Sequence, residues 1–439
     1  MIALALITAL SSTRAQDGAF MSKPLQVTLF GPIGTNGTES ANCINNLSWN
    51  ILWGLNAGVK GLEFGGIGNS ISGQVRGAQI AGIFNHVGGD VFGFQASGLV
   101  NFVKGNFLGV QIAEFGNLNR GDLTGIQIAG FLNQARDVRF LQTAGFMNHA
   151  RDLKGIQMAG FLNHADDFTG IQTGGFMNTG GKALGLQLSG FMNICDDILG
   201  LQGSGFMNIA EESSGLQAGG FMNVTNELKG AQVAGFMNVA GEVKGLQLSG
   251  FLNVASELKG VQLGVLNVCD TVSGGVPIGL LNIVKKGAYK SWEFGVSECW
   301  TGQFSYRLGI DRLYSLFSAA SQFHQGEFYW GFGFGLGSRL NISDYLSGSL
   351  EAVAYNVKES TMVVRDIDLL TTVRLTLEGS IGGGISWFAG PTFNLLLAAY
   401  QYPDDETIFD HFAPWTTSDV TSGISRTKTW PGLTAGIRF

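Results

Sequence analysis

The chain has 439 residues, of which only 13% are charged, and a formal net charge of -7 at pH 7. Such a charge balance, with no cluster of Lys or Arg, excludes the basic surface that nucleic-acid binding requires. The composition includes 67 glycines and 7 prolines, and its ample apolar content excludes a disordered chain. No stretch of eighteen or more apolar residues follows the N-terminus, so any membrane crossing would have to be made by a β-barrel.

The first sixteen residues, MIALALITALSSTRAQ, combine a short apolar run with small and polar residues. This pattern predicts a signal peptide over residues 1–16, and a buried N-terminal helix is the alternative. Residues 17–60 are predicted to form an N-terminal β cap segment. Four cysteines, Cys43, Cys195, Cys269 and Cys299, lie far apart without a C-x-x-C pair, so we expect small buried thiols and no zinc site.

A tandem repeat of 15–16 residues occupies residues 61–285, as in GIQMAGFLNHADDFT and GLQLSGFMNICDDIL. Counted from its first Gly, each copy has Gln at position three and Asn at position nine. Small residues stand at positions one, six and eleven, for example Gly185, Gly190 and Cys195. Three corners five residues apart predict a three-sided β-solenoid turn. We expect the apolar residues at positions two, four and fourteen, such as Leu246, Leu248 and Leu258, to point inward together with the Phe at position seven.

The repeated Asn is predicted to form a structural ladder, since identical amides stacked at about 4.8 Å can hydrogen-bond one another. The ladder residues are Asn148, Asn163, Asn178, Asn193, Asn208, Asn223, Asn238 and Asn253.

One continuous large antiparallel β-barrel is the alternative fold, because positions two to eleven also alternate in polarity as transmembrane strands do. Against it, no Tyr or Trp occurs from Gly54 to Gly287, and a Gly in the middle of every strand would be costly. The solenoid is therefore favoured.

Residues 286–439 differ from the repeat in sequence pattern. Their amphipathic segments are longer, and the terminal strand TWPGLTAGIRF ends in an aromatic residue. This pattern predicts an antiparallel outer-membrane-type β-barrel of roughly eight strands, with a soluble β-sandwich as the alternative. The segment from Tyr402 to Lys428 is the longest non-repeating loop and the best candidate for outside contacts.

Position thirteen is acidic on most turns, and Lys often follows two residues later. We interpret this as a solvated charged ridge. The sharper hypothesis is that Ca²⁺ bridges turns that lack Lys; the aspartates that would bind it are Asp166, Asp167, Asp196 and Asp197. His149 and His164 occupy the same position on successive turns and could share a metal, although exposed, unliganded rings are favoured.

The repeat G-x-Q-x-A/S-G-x-x-N resembles that of a family of bacterial surface-repeat proteins. The resemblance to this family covers nearly the whole mature chain. It extends beyond the repeat to the segments LQVTLFGPIGTNG, NNLSWNILWGLNAGVKGLEFGG and GVPIGLLNIVKKGAY. The resemblance implies a bacterial outer-membrane or cell-surface location and supplies no catalytic residues.

No nucleophile elbow, phosphate loop, zincin helix or kinase motif is present. The sequence therefore predicts an all-β, non-enzymatic surface protein with a structural, adhesive or binding role. We expect no cofactor, and the expected partners are outer-membrane lipid and an unidentified surface ligand. An outer-membrane pore whose wall is formed by the repeats is the alternative function.

Overall fold

A computed structural model of the protein describes residues 20–324, 327–359, 368–399, 415–422 and 425–439. About 78% is β-strand, and the described residues contain one helix, so the all-β prediction is confirmed. The strands form a parallel β-solenoid of about 16 turns and a closed eight-stranded antiparallel β-barrel. In the described ranges no helix has the length and apolarity needed to cross a membrane. The chain divides into two compact units, residues 1–226 and 227–439, and the division falls within the repeat.

The first unit opens with a cap made of β1 Met21–Gly31, β2 Ile33–Gly34, a short 3₁₀ helix Gly37–Asn42 and β3 Cys43–Asn56. β2 folds back antiparallel onto β1, and β1 runs parallel to β3. The cap segment thus begins the parallel ladder that the repeat continues, and the predicted signal peptide lies outside the described residues.

The repeat strands of the first unit are β4 Gly58–Gly65, β5 Gly68–Ile71, β6 Val75–Ala81, β7 Phe84–Val87, β8 Val91–Ser97, β9 Val100–Val103, β10 Phe107–Ala113, β11 Gly116–Asn119, β12 Leu123–Ala129, β13 Leu132–Gln134, β14 Asp137–Ala144, β15 Met147–Ala159, β16 Leu162–Gly174, β17 Met177–Ser189, β18 Met192–Ile194, β19 Asp197–Ser204, β20 Met207–Ile209 and β21 Glu212–Gly219. Each pairs in parallel with its own copy one turn away, so that Asn148 lies opposite Asn163. This register excludes the continuous antiparallel barrel as the fold of the repeat.

Positive-φ glycines make one bend in most turns of the first unit. Gly170 and Gly185, both at position one, have φ of 134° and 137°. A Cβ on Gly185 would lie 2.1 Å from the carbonyl oxygen of Gly170, so any side chain is opposed by the stacking of turns as well as by φ. Phe140 occupies the same position with φ of 114°, and is the one non-glycine residue of the described segments with positive φ.

The interior of the solenoid differs from our expectation. Position fourteen points inward as predicted, and Leu258 is fully buried. Positions two, four and seven point outward: Leu246 is 37% exposed, Leu248 is half-buried and Phe251 is 42% exposed. The prediction was wrong because Gln and Asn occupy the inward positions of the same alternating strands, and residues one position away on a strand must face the other side.

The second unit continues the repeat. β22 Met222–Ala234 runs into it and is followed by β23 Met237–Val243, β24 Leu246–Ser249, β25 Leu252–Leu258, β26 Val261–Leu263, β27 Leu266–Val272, β28 Val276–Ile278 and β29 Leu281–Lys286. The pairing is again parallel and in register, with Asn238 opposite Asn253 and Asn253 opposite Asn267.

The barrel strands are β30 Tyr289–Ser297, β31 Gly302–Ile310, β32 Leu313–His324, β33 Glu327–Asn341, β34 Leu346–Glu359, β35 Asp368–Gly382, β36 Ile385–Ala399, β37 Ser418–Ser422 and β38 Ser425–Arg438. Neighbours are antiparallel, and β30 pairs with β38 to close the wall. β37 pairs with β38 alongside this wall. Because the sheet closes on itself, the predicted barrel is confirmed and the β-sandwich alternative is wrong.

Side chains alternate across the barrel wall. Outward residues are mainly large and apolar, such as Phe332 at 65% exposure and Leu433 at 70%, while inward residues are buried. On β33 the inward positions 331, 333, 335 and 337 are all Gly. A Cβ on Gly333 would lie 2.7 Å from the ring of Tyr355, and one on Gly337 would lie 2.4 Å from the ring of Tyr314. The glycine-rich phrase GFGFGLG therefore makes room for aromatic rings that fill the barrel.

Candidate functional site

The ladder asparagines form a buried column in each unit. Asn148 Nδ2 donates to Asn163 Oδ1 at 2.9 Å and to the carbonyl oxygen of Met158 at 2.6 Å. In the second unit Asn238 Nδ2 donates to Asn253 Oδ1 at 3.1 Å. All eight predicted ladder residues are fully buried: Asn148, Asn163, Asn178, Asn193, Asn208, Asn223, Asn238 and Asn253. Within each unit the amides donate toward the C-terminal turn and also hold main-chain carbonyls, so the column satisfies its own polar groups.

The position-three glutamines form a second buried column whose hydrogen bonds run the other way. Gln157 Nε2 donates to Gln142 Oε1 at 2.8 Å, toward the N-terminal turn. In the second unit the column ends at Gln262, whose Oε1 accepts a bond from Cys269 Sγ at 2.9 Å and whose partner on the next turn is Pro277. The two columns therefore place their amide dipoles in opposite directions within one core.

Glu63 closes the glutamine column at its N-terminal end. Its carboxylate accepts hydrogen bonds from Gln79 Nε2 at 2.8 Å, Asn50 Nδ2 at 2.9 Å and Asn56 Nδ2 at 2.5 Å. A carboxylate accepts at every lone pair, which suits a point where several amide donors converge. Complete burial nevertheless raises the pKa of Glu63 from 4.5 to about 7, although these donors lower it.

The cysteines of the repeat are buried and unpaired, as are all four in the described chain. Cys195 Sγ accepts a hydrogen bond from Gln202 Nε2 at 3.1 Å. Burial raises the pKa of Cys195 and of Cys269 to about 12. Thiols held in the protonated form are poor nucleophiles, so these residues act as small core residues.

The outward residues of the solenoid form apolar columns. In one turn, Ile156, Met158 and Phe161 are 38%, 40% and 39% exposed. The position-seven rings of the first unit stack on one another nearly parallel, with centroids 4.7 to 5.0 Å apart in the column Phe115, Phe131, Phe146, Phe161, Phe176, Phe191, Phe206 and Phe221. A shallow groove of about 460 Å³ follows these turns. It is lined by Met158, Thr173 and Leu188 together with Gly160 and Gly175.

Charged residues lie on a separate strip. From Gly77 to Lys286, every Asp, Glu, Lys and Arg except Glu114 falls between position eleven of one turn and position one of the next. We call these residues the charged strip and positions one to ten the uncharged side. Ion pairs join successive turns of the strip, as between Arg151 and Asp137 at 2.8 Å and between Lys259 and Glu242 at 2.5 Å. The Lys259 ammonium lowers the pKa of Glu242, as expected for the solvated ridge.

The candidate calcium ligands lie on the charged strip. Asp167 Oδ1 accepts a bond from the main-chain N–H of Lys182 at 2.9 Å, and Asp166 Oδ1 lies 3.2 Å from His164 Nε2. Across the part of the chain that the structure describes, no group of three or more His, Cys, Asp or Glu side chains is placed to hold a metal ion. Calcium binding by Asp166, Asp167, Asp196 and Asp197 stays a prediction of the sequence.

The two stacked histidines are neighbours, with ring centroids 5.0 Å apart. His164 Nδ1 lies 2.9 Å from Thr179 Oγ1, so one of its ring nitrogens has a hydrogen-bond partner of its own. Partial burial and the neighbouring His164 lower the pKa of His149. The pair thus has one acidic neighbour, Asp166, and the remaining ligands of a metal site are not supplied by the described residues.

The interior of the barrel is filled by charged and aromatic side chains. Glu351 accepts hydrogen bonds from Arg307 Nε at 2.7 Å, from Tyr314 Oη at 2.6 Å and from Arg374 Nε. Arg438 bonds to Glu293 at 2.8 Å and to Glu378 at 2.9 Å. Trp300, Trp430, Tyr355 and Phe388 are also buried there. This cluster could not be identified from the sequence, because its inward Glu and Arg residues come from five separate strands.

Only part of the predicted contact loop is described. Trp415 is 57% exposed and donates from Nε1 to the carbonyl oxygen of Pro431 at 2.6 Å, so this ring is held against β38. Residues 400–414 and 423–424 lie outside the described residues. The predicted role of this loop in outside contacts therefore stays a prediction.

No known protein family, curated protein or solved structure matches the chain. The resemblance of the repeat to bacterial surface-repeat proteins consequently stays a prediction, and the function has to be argued from the geometry alone.

Proposed function

We propose that this chain is a non-enzymatic protein of a bacterial outer membrane, in which the barrel is the anchor and the solenoid has a structural, adhesive or binding role. The observation that carries the proposal is a closed barrel with an apolar outer wall and a filled interior, joined to a long parallel solenoid. An outward apolar band around a closed antiparallel barrel is the structure with which strands cross a bilayer, because closure leaves no unpaired backbone edge in lipid.

The filled interior supports an anchor in preference to a channel. An eight-stranded barrel is only wide enough for side chains to fill it. Here Arg307, Arg374 and Glu351 are paired inside it, and Trp300 and Trp430 are fully buried. A solute or an unfolded chain would have to break this network to pass, so transport through the barrel is disfavoured.

The position of the solenoid on the barrel supports a periplasmic orientation. In the second unit the repeat enters the barrel at Tyr289, at the end that also holds the C-terminal residue Phe439 and the short turns Ile310–Leu313 and Gly382–Ile385. Outer-membrane barrels have short periplasmic turns and longer extracellular loops. The strand ends that flank the longer connections lie at the opposite end: Glu359, Asp368, Ala399 and Ser418.

Cysteine accessibility in intact cells tests this proposal. Asp344→Cys lies in a short turn and Ser422→Cys lies beside the opposite end of the barrel, and both positions are exposed. A membrane-impermeant maleimide is expected to label Ser422→Cys in intact cells and Asp344→Cys only after the outer membrane is permeabilised. Recovery of the chain in the soluble fraction would overturn the anchor, and the reverse labelling pattern would overturn the orientation.

A further inference from the structure

The uncharged side of the solenoid is too apolar to remain in water over its whole length. A Phe side chain presents roughly 200 Å² of surface, so eight stacked rings with nearly two-fifths of each exposed leave roughly 600 Å² of aromatic surface in the first unit. The exposed side chains of positions two and four add to this. Monomeric soluble proteins rarely expose contiguous apolar patches larger than about 600 Å², and larger ones mark interaction sites.

Charged residues are confined to one part of each turn, so the solenoid has one apolar side and one charged side. Over some two hundred residues of sequence, ten consecutive positions of every turn are free of charge except at Glu114, while the charged strip has paired acids and bases. The Phe column is uniform and carries no fixed hydrogen-bonding group, whereas a site for one protein partner usually combines an apolar centre with a polar rim. A uniform apolar side opposite a charged strip is the polarity of an element that lies in a membrane interface.

In the second unit the last turn of the solenoid, with the final amide of its buried Asn column, ends against the outer wall of the barrel. The last turn of the solenoid lies against β32, where Ser315 Oγ donates to the carbonyl oxygen of Gly279 at 3.4 Å and accepts a bond from Asn282 Nδ2 at 3.3 Å. Ser315 faces outward, opposite Leu336 on β33, which is 39% exposed. Leu280, next to Gly279, is 49% exposed. The apolar side of the repeat therefore ends beside the apolar wall that we propose to face lipid.

We propose that the uncharged side of the solenoid binds the surface of the lipid bilayer, with its Phe and aliphatic columns among the acyl chains and its charged strip toward water. This inference rests on the proposed anchoring of the barrel. The chain would then be held to one leaflet along its repeat as well as through its barrel, and the groove beside Met158 and Leu188 would lie against acyl chains.

Depth-dependent quenching on the full chain in phosphatidylcholine liposomes tests the proposal. An environment-sensitive dye is placed on Met158→Cys of the uncharged side, on Thr169→Cys of the charged strip and on Leu375→Cys of the outer barrel wall, all of which are exposed positions. The native thiols are buried, and the unsubstituted chain gives the labelling background. We expect lipids with a spin label on the acyl chain to quench Met158→Cys and Leu375→Cys and to leave Thr169→Cys unchanged.

The outcomes separate the two proposals. Quenching at Leu375→Cys without quenching at Met158→Cys overturns the lipid-binding side and leaves the anchor. No quenching at Leu375→Cys overturns the anchor itself. A blue-shifted Met158→Cys signal that lipid does not quench, and that grows with protein concentration, means that a second copy covers this side, which also overturns the proposal.

A pair of charge substitutions provides an independent check. Phe161→Glu with Phe176→Glu is expected to abolish quenching at Met158→Cys and to leave it intact at Leu375→Cys, because burying two carboxylates among acyl chains is costly. Thr169→Glu with Leu184→Glu, on exposed positions of the charged strip, is the matched control and is expected to change neither signal. Unchanged quenching at Met158→Cys in the Phe variant would overturn the proposal, provided that circular dichroism shows the solenoid is folded.

Discussion

Removing one amide from the asparagine column is expected to destabilise the solenoid strongly. In Asn193→Ala, Asn178 Nδ2 loses its acceptor at 2.8 Å, and Asn208 Oδ1 and the carbonyl oxygen of Gly203 lose donors at 2.9 and 2.8 Å. All of these side chains are fully buried. Asn178 Nδ2 keeps its bond to the carbonyl oxygen of Leu188, so one of its N–H groups and two acceptors lose a partner. A buried polar group without a partner costs about 1–3 kcal/mol, so the total loss is on the order of 3–5 kcal/mol. The substitution also leaves a cavity, which increases the loss further.

Urea unfolding followed by far-ultraviolet circular dichroism measures this effect, since the repeat lacks Trp and Tyr and its strands dominate the signal. Leu199→Ala is the control, because Leu199 is on the outside of the same turn and is 58% exposed. Substitutions of this kind usually change stability by less than about 0.5 kcal/mol. Equal unfolding midpoints for Asn193→Ala and Leu199→Ala would refute the view that the amide column supports the fold.

Three further predictions follow from particular residues. Because the pKa of Glu63 is about 7 in the folded chain, against its ordinary value of 4.5, the folded state favours the protonated acid; the stability this confers is present below pH 4.5 and is lost as the pH rises to about 7. The free energy of unfolding from urea titrations should therefore be lower at pH 8 than at pH 5 by roughly 2.5 kcal/mol in the parent chain and be unchanged in Glu63→Gln, and an equal slope in both contradicts this. Phe140→Gly should raise the free energy of unfolding by about 1 kcal/mol, since it relieves a positive φ at a side chain that is 64% exposed; a lower free energy of unfolding would show that φ imposes no strain there. Glu351→Gln should destabilise the barrel by about 3–5 kcal/mol in Trp-monitored urea unfolding from liposomes, because Arg307 and Arg374 would lose their partner in the interior, and a change no larger than that of Leu350→Ala on the outer wall would count against it.

The repeat period, the parallel stacking and the barrel could be predicted from the sequence because each depends on spacing. Gln and Asn recur at one interval, and the fold that places a residue beside its own copy is a stack of parallel turns. The final strand shows the alternation of a barrel wall, with Leu433 and Ile437 outward and Arg438 inward.

The direction of the side chains in the repeat could not be predicted from hydrophobicity. Apolar residues usually point inward, but a core can also be built from amides when every amide bonds to its copy. The chain contains the signal that distinguishes these cases: position three is Gln in every turn from Gln79 to Gln262, whereas position four varies from Gly203 to Leu188. Tight packing against a copy does not tolerate such changes in volume, so the variable position had to be outside.

The pairing of the barrel charges could not be predicted either. Glu293, Arg307, Glu351 and Arg374 are spread over β30 to β35, and only closure of the wall brings them together. The position of Glu63 at the end of the glutamine column could not be predicted either, since it depends on side-chain amide donors that converge from β3 and β6.

Disulfide formation between equivalent positions of successive turns tests the parallel, in-register stacking of the repeat. Met147 and Leu162 are register partners in β15 and β16, and adjacent strands lie about 4.8 Å apart, within reach of a disulfide. We expect Met147→Cys with Leu162→Cys to cross-link on mild oxidation, and His149→Cys with Ile156→Cys, which an antiparallel hairpin would bring together, not to cross-link. Cross-linking of the second pair and not the first would contradict the solenoid and the lipid-binding side inferred from it.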